Sequence, residues 1–217
     1  MFRLDENEIS FPDPEIYDGH EGIIALGGDL SAERVWFAYQ LGIFPWYNPG
    51  EEILWWCPDP RFVLFPDRLK VSRSMRKIMN RNVFTFSENR QFREVIRNCQ
   101  EISRRGQDGT WLSDELMQTF IQLHEYGLAT SVEVWQEGNL VGGFYGIRIG
   151  KVFCGESMFS KVSNASKAGF IYFVETYKDS LRLIDCQSHT EHLESLGATM
   201  IPKKEFLKIL HENNERG

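Results

Sequence analysis

The chain has 217 residues, of which 42% are hydrophobic and 25% are charged, proportions that are typical of a globular protein and exclude an intrinsically disordered one. Its formal net charge of −7 argues mildly against a nucleic-acid partner. Its four cysteines form no C-x-x-C pair, which excludes a zinc ribbon and a thioredoxin-type motif. No apolar run approaches the roughly 20 residues of a membrane span. No signal peptide is recognisable either, so we expect a cytoplasmic protein with reduced thiols.

The first part of the chain is rich in proline, glycine and tryptophan and contains one clear helix. Ser31 is its predicted N-cap, and Gly42 is its predicted C-terminal stop. Three prolines between positions 58 and 66 indicate a linker. We therefore predict a small N-terminal domain, 1–64, followed by a larger domain, 65–217.

The next segment concentrates positive charge on an otherwise acidic chain. It contains six basic residues and no acid: Arg68, Lys70, Arg73, Arg76, Lys77 and Arg81. Such a segment can bind phosphates while the rest of the surface repels them, which favours one docking geometry. A solvated helical face that happens to be basic explains the pattern equally well.

The larger domain alternates helices and strands, as judged from apolar periodicity and from turn residues. The predicted order is a helix from Phe92 to Ile102, a helix capped by Ser113, strands at 131–135, 140–149 and 151–154, a helix over 170–177, a strand at 183–187, a helix after Ser188 and a strand at 199–201. This mixed α/β order resembles that of GNAT-type acyltransferases, a likeness that by itself does not give a function.

The predicted strand at 183–187 ends in polar residues. Alternation along a strand places the Asp185 and Gln187 side chains on one face and turns Cys186 to the other. Ser188 and Glu191 have the spacing of a capping box, which predicts that a helix begins there. Catalytic groups often lie where such a strand meets a helix, although a strand-end aspartate also commonly satisfies backbone donors.

Five motifs in this order make the chain resemble the leucyl/phenylalanyl-tRNA–protein transferase family over about residues 11–206. They are Ala25–Ser31, Gly42–Trp46, Trp55–Arg61, Phe153–Ser160 and Leu183–Leu193. The resemblance implies transfer of Leu, Phe or Met from aminoacyl-tRNA to the N-terminal Arg or Lys of a protein, which marks that protein for N-degron proteolysis. Such a reaction needs no cofactor. No pair of His or Cys has metal-ligand spacing backed by a second pair, so we also expect no metal.

The resemblance assigns catalysis to Asp185 and Gln187. It implies a substrate-binding set made of Trp46, Trp111, Phe144, Glu156, Ser157, Phe170, Phe173 and Tyr177. With tRNA as the partner, the basic segment predicts tRNA-backbone contacts from Arg73, Arg76, Lys77 and Arg81. By spacing alone the aromatic members are core residues, and positions 144, 170 and 177 depart from the residues typical of the family, which leaves the preference among donors open.

Transfer from a tRNA ester requires little beyond positioning, because the ester is already activated and an α-amine of reference pKa about 7.7–8.0 is partly neutral near neutral pH. We expect Asp185 to hold the amine and Gln187 to orient it or the carbonyl. A GNAT enzyme that uses coenzyme A needs a glycine-containing phosphate turn, which 160–167 lacks. Three alternatives remain: an acyl-CoA enzyme, a tRNA-binding module without catalysis, and a Cys186 nucleophile with His189 or His192.

Overall fold

The computed structural model describes residues 2–106 and 112–214. The helices are α1 (Ala32–Gln40), α2 (Arg73–Asn80), α3 (Phe92–Gly106), α4 (Asp114–Glu125), α5 (Ala165–Tyr177), α6 (Glu191–Glu194) and α7 (Lys203–Asn214), with a 3₁₀ turn at Pro66–Arg68. The strands are β1 (Phe2–Leu4), β2 (Ile23–Gly27), β3 (Phe44–Pro45), β4 (Leu54–Trp56), β5 (Arg61–Leu64), β6 (Thr85–Glu88), β7 (Ala129–Gln136), β8 (Asn139–Ile149), β9 (Val152–Ser160), β10 (Leu183–Gln187) and β11 (Thr199–Ile201).

The N-terminal part is a four-stranded sheet, in the order β1-β2-β4-β3, with α1 beside it. The Ser31 hydroxyl accepts a hydrogen bond from the Arg34 amide and so caps α1, as predicted. The helix stops before Gly42, whose φ of 75° suits glycine. A Cβ atom there would lie 2.7 Å from the Leu207 side chain, so glycine also lets α7 approach closely.

The main sheet has seven strands in the order β11-β5-β10-β9-β8-β7-β6. Strands β7, β8 and β9 are antiparallel, whereas β9 and β10 are parallel and are joined through α5. This arrangement confirms the mixed α/β fold predicted from the order of elements. Strand β5 already belongs to this sheet, so the change from one sheet to the other falls between Trp56 and Arg61.

Two layers of helices cover the main sheet. Helix α3 packs through Val95 and Ile96 into one buried cluster, and α4 packs into the same cluster. On the other face, α5 packs into a second cluster that also receives Met75 of α2. Helix α2, which carries basic residues, and helix α5 therefore lie on the same side of the sheet. Among residues 2–106 and 112–214, no helix is long and apolar enough to cross a membrane.

Two predictions about local structure need correction. The helix after β10 is capped by Thr190 rather than Ser188, because Gln187 has a left-handed φ of 60° that delays the start of the helix. Strand β9 extends to Ser160 and contains Glu156, which was expected where a strand leads into a helix. The Ser113 cap is confirmed, since its hydroxyl accepts from the Leu116 amide.

Candidate active site

A cavity of about 670 Å³ opens where β9 and β10 separate. The two strands pair only over Val152–Cys154 and Leu183–Asp185, and beyond these residues they diverge. Strand β3 of the N-terminal sheet contributes Phe44 and Pro45 to the wall. The cavity therefore lies between the two sheets, at the carboxyl end of β10, where ligands commonly bind in open α/β sheets.

A β-bulge in β9 directs Glu156 toward this cavity. Gly155 pairs with Gly146 and Ser157 pairs with Tyr145, so Glu156 is the extra residue on its strand. A bulge interrupts the strand's alternation and redirects a side chain, and bulges are common next to active sites. A second irregularity, between Asp185 and Gln187 in β10, leaves Cys186 without a partner in β5.

The Asp185 carboxylate is completely buried and paired with Arg61. Its two oxygens accept from Arg61 Nε at 2.8 Å and from Arg61 Nη2 at 2.6 Å. The Asp185 Oδ1 atom also accepts from the Gln187 backbone amide at 2.9 Å. These three contacts use most of the acceptor positions of the carboxylate, although Asp185 still borders the cavity. That Asp185 holds the incoming amine stays a prediction.

Gln187 and Glu156 meet at the polar end of the cavity. Gln187 Nε2 donates to Glu156 Oε1 at 2.9 Å. Burial raises the pKa of Glu156 to about 8, because protein atoms surround the carboxyl even though the residue borders the cavity. The Tyr39 hydroxyl lowers this pKa and the Asp185 carboxylate raises it further. Glu156 can therefore gain and lose a proton near neutral pH.

The apolar end of the cavity is formed by Phe144, Phe170 and Met158. The ring centroids of Phe144 and Phe170 are 5.9 Å apart, and Met158 pairs with Phe144 across β8 and β9. An aromatic and thioether surface of this kind suits an apolar side chain and offers no opposite charge to a charged one. Met158 was not among the predicted site residues, because the hydrophobic pattern of the sequence does not distinguish it from a core residue.

Phe173 and Tyr177 were expected to bind the substrate, but neither lines the main cavity. Phe173 is 3% exposed and packs behind Phe144, with ring centroids 5.5 Å apart. The Tyr177 hydroxyl donates to Glu88 at 2.6 Å. Both residues border a second cavity of about 380 Å³, at the far end of α5. Phe173 contacts Phe144 and Phe153, which line the main cavity, and Tyr177 packs on Phe173.

Trp46 lies at the edge of the main cavity with half of its surface exposed. Its ring centroid is 5.5 Å from that of Trp56, and the Trp56 indole donates to the Trp46 carbonyl at 2.6 Å. An indole that is held on one side and open on the other can stack on a base.

Trp111 lies outside the described residues. Ser157 follows Glu156 and borders the cavity.

The basic residues of the sequence lie on and around α2. Met75 is buried, whereas Arg73, Arg76, Lys77 and Arg81 are exposed. Within residues 2–106 and 112–214, none of these four forms an ion pair with an acid. Their charges are therefore available to an anionic partner.

Two rival chemistries fit this geometry poorly. Burial raises the pKa of the Cys186 thiol and lowers that of His192, so neither group favours the ion pair of a thiolate nucleophile. At the start of α5, the Ser166 amide donates to Ser160 Oγ at 3.2 Å. The Ala165 amide donates to the Val162 carbonyl at 3.3 Å. Donors that a pyrophosphate needs are thus already occupied.

Comparison with known proteins gives a consistent result. The family model described as leucyl/phenylalanyl-tRNA protein transferase matches residues 63–211, and that of the N-terminal domain of the same transferase matches residues 28–59. A protein of Flavobacterium johnsoniae named leucyl/phenylalanyl-tRNA–protein transferase is 55% identical over 94% of this chain and 96% of its own. A Christiangramia forsetii protein of the same name is 52% identical over 97% of this chain and 100% of its own.

One solved structure resembles the chain distantly. A GCN5-related N-acetyltransferase from Kribbella flavida is 11% identical, with a TM-score of 0.37, over 77% of this chain and 59% of its own. A likeness of this size carries no argument about substrate or mechanism.

Proposed function

Because the chain belongs to the leucyl/phenylalanyl-tRNA protein transferase family, and is thus an enzyme that transfers an aminoacyl group from tRNA to a protein, we propose that its donors are Leu, Phe or Met and that its acceptors begin with Arg or Lys. The added residue then marks the acceptor for proteolysis. One observation carries this proposal: an apolar cavity ends at a Glu156–Gln187 pair, with Trp46 at its edge.

The apolar end supports the choice of donor. Phe144, Phe170 and Met158 would surround the side chain of the aminoacyl group. Burial of such a side chain contributes about 1.5–3 kcal/mol relative to its exposure. A polar or charged side chain would lose its hydration without gaining a partner there.

The polar end supports the chemistry. The α-amine of the acceptor attacks the ester carbonyl, the new C–N bond forms, and the C–O bond to the ribose 3′ oxygen breaks. One proton leaves the amine, and one proton must reach that oxygen. We assign both transfers to Glu156, whose pKa of about 8 is close to the reference pKa of an α-amine, about 7.7–8.0. A proton passes with little cost between groups whose pKa values match.

Gln187 would orient the reacting groups. Its Nε2 is bound to Glu156, which leaves its side-chain oxygen free to accept from the amine. Since Arg61 neutralises Asp185, the polar end carries a negative charge only in the fraction of molecules in which Glu156 is ionised, and that charge favours a cationic N-terminal residue. The overall charge of −7 acts in the same direction on a basic acceptor.

The remaining surfaces support binding of the tRNA. Trp46 would stack on the terminal adenosine, an interaction worth roughly 1–3 kcal/mol per base. The exposed residues Arg73, Arg76, Lys77 and Arg81 would contact the phosphates of the acceptor stem. Localised charge of this kind can bind RNA in spite of an acidic chain.

A transfer assay tests the proposal directly. Purified protein is mixed with tRNA that carries radiolabelled Phe and with a peptide that begins with Arg. We expect label to enter this peptide but not its N-acetylated copy, which lacks the nucleophile. Label from charged Asp-tRNA should not transfer. Absence of transfer from Phe-, Leu- and Met-tRNA, or equal transfer to the acetylated copy, would refute the proposal. Transfer from acetyl-CoA instead would favour the rival acyl donor.

A further inference from the structure

We infer that Arg61 is a positioning residue for the transfer reaction, which acts through Asp185 to fix Gln187 against Glu156. The inference rests on the role proposed above for Gln187. It gives Asp185 a different task from the one that its position in the sequence suggested, because the carboxylate serves the protein rather than the substrate.

The Arg61 guanidinium is held from several sides. It is 1% exposed, and its carbon lies 4.7 Å from the centroid of the Phe44 ring and 4.5 Å from that of the Phe206 ring. Phe44 belongs to the N-terminal sheet and Phe206 to α7. A planar guanidinium between two aromatic faces has one orientation, and its fork binds a carboxylate in a bidentate manner.

This pair is difficult to explain by stability alone. Moving two charges out of water is costly, and buried ion pairs can often be replaced by apolar residues without loss of stability. The neighbours of Arg61 include apolar side chains such as Phe44 and Phe206, so apolar residues at 61 and 185 would have compatible surroundings. A buried, bidentate pair whose aspartate borders the cavity therefore indicates a role in positioning.

Asp185 connects Arg61 to the backbone of Gln187. Asp185 Oδ1 accepts both from Arg61 Nε and from the Gln187 amide, at 2.8 and 2.9 Å. The second bond holds Gln187 at its φ of 60°, a conformation that residues other than glycine seldom adopt. Gln187 can then place its side-chain amide 2.9 Å from Glu156. Residues in strained backbone conformations cluster at active sites.

The substitution Arg61→Lys tests this inference, since lysine keeps the charge but cannot form the fork. We expect kcat with a minimal donor, adenosine esterified with Phe, to fall 10- to 100-fold. The KM for that donor should change less than threefold, because Arg61 does not border the cavity. Asp185→Asn should give the same split between kcat and KM. In the double variant the two losses should not multiply, because both act through Gln187.

Arg34→Lys is the matched control. Arg34 is also fully buried, but it binds Asp29 and the carbonyls of Asp5, Glu6 and Glu8, remote from the cavity wall. Its variant should melt at a lower temperature than the wild type and transfer at the wild-type kcat. An arginine with a merely structural role would behave in this way.

Hydrogen exchange on the wild type provides a test that does not depend on whether a variant folds. The Gln187 amide should be protected, because Asp185 accepts from it, and the Arg61 Nε–H should be protected with it. A folded Arg61→Lys enzyme with wild-type kcat, an effect confined to KM, or a Gln187 amide that exchanges freely would overturn the inference. If the wild type itself fails to transfer Phe, the proposed function fails instead.

Discussion

The two ends of the cavity are constructed differently. At the polar end, Arg61, Asp185, Gln187 and Glu156 form one chain of hydrogen bonds between 2.6 and 2.9 Å long. At the apolar end, Phe144 and Phe170 pack without directional contacts. Hydrogen bonds fix angles as well as distances, whereas apolar packing tolerates different shapes. The polar end is therefore suited to control the rate of transfer, and the apolar end to control which donor binds.

The largest expected effect comes from removing the proton-transfer group at the polar end. Glu156→Gln keeps the shape of the side chain but removes its titration, and general acid–base catalysis contributes typically 10²–10⁴-fold. We expect single-turnover transfer from the minimal donor to fall about 100-fold or more by this mechanism. Glu88→Gln, at the second cavity, is the control and should transfer normally. A rate for Glu156→Gln within threefold of the wild type would show that the proton moves by another route.

Removing a ring from the apolar end should change donor affinity rather than rate. Phe170→Ala removes a side chain that borders the cavity, and the loss of contact with donor side chains should cost up to about 2–3 kcal/mol in donor affinity. Competition between Phe and Leu donors measures the change in preference. Phe173→Ala is the comparison, because this ring lies behind Phe144: it should lower the melting temperature strongly and donor affinity less. Unchanged donor affinity in a folded Phe170→Ala enzyme would show that the donor binds elsewhere.

A smaller effect, restricted to the full tRNA, is expected from α2. Reversal of Arg76 and Lys77 to Glu should raise the KM for aminoacyl-tRNA, and each lost phosphate contact should flatten the slope of log affinity against log salt by about 0.9 for duplex. The minimal donor has no stem phosphates and should be used as before. Reversal of Arg93 and Arg97 on α3, on the opposite face of the sheet, is the control. Equal losses on the two donors would exclude docking as the role of α2.

A separate effect concerns the pH dependence of stability. The pKa of Glu156 is about 8 in the folded chain, compared with an ordinary value of 4.5. The unfolded chain therefore releases this proton first, and ionisation favours unfolding as the pH rises through this range. Near pH 4.5 the melting temperature of Glu156→Gln should equal that of the wild type. As the pH rises to 8, the melting temperature of the variant should lie progressively further above that of the wild type. A difference in melting temperature that does not vary with pH would show that the carboxyl has an ordinary pKa.

The sequence predicts features that depend on neighbours along the chain. The caps at Ser31 and Ser113 are confirmed because each hydroxyl binds an amide three residues later. The strand at 199–201 is confirmed as β11 for a similar reason, since its pattern and its turn are local. The order of strands and helices follows from such local signals, and with it the mixed α/β fold.

Features that depend on a distant partner escape the same reasoning. Strand alternation turned Cys186 away from the site, but the irregularity in β10 is set by pairing with β5, and Cys186 borders the cavity. The bulge at Glu156 depends likewise on β8. Arg61 lies in one of the motifs on which the resemblance rested, yet its partner is 124 residues away. No periodicity connects two residues at that separation.

The comparison between the two ends is tested most directly by single-turnover transfer from Phe-adenosine, measured over a range of donor concentrations for Gln187→Ala and Phe170→Ala. We expect opposite patterns. Gln187→Ala should lower the saturating rate at least tenfold with little change in the half-saturating concentration. Phe170→Ala should raise the half-saturating concentration with little change in the saturating rate. If Gln187→Ala weakens only donor binding, or if Phe170→Ala lowers only the saturating rate, the division of the cavity into a catalytic end and a donor-binding end is wrong.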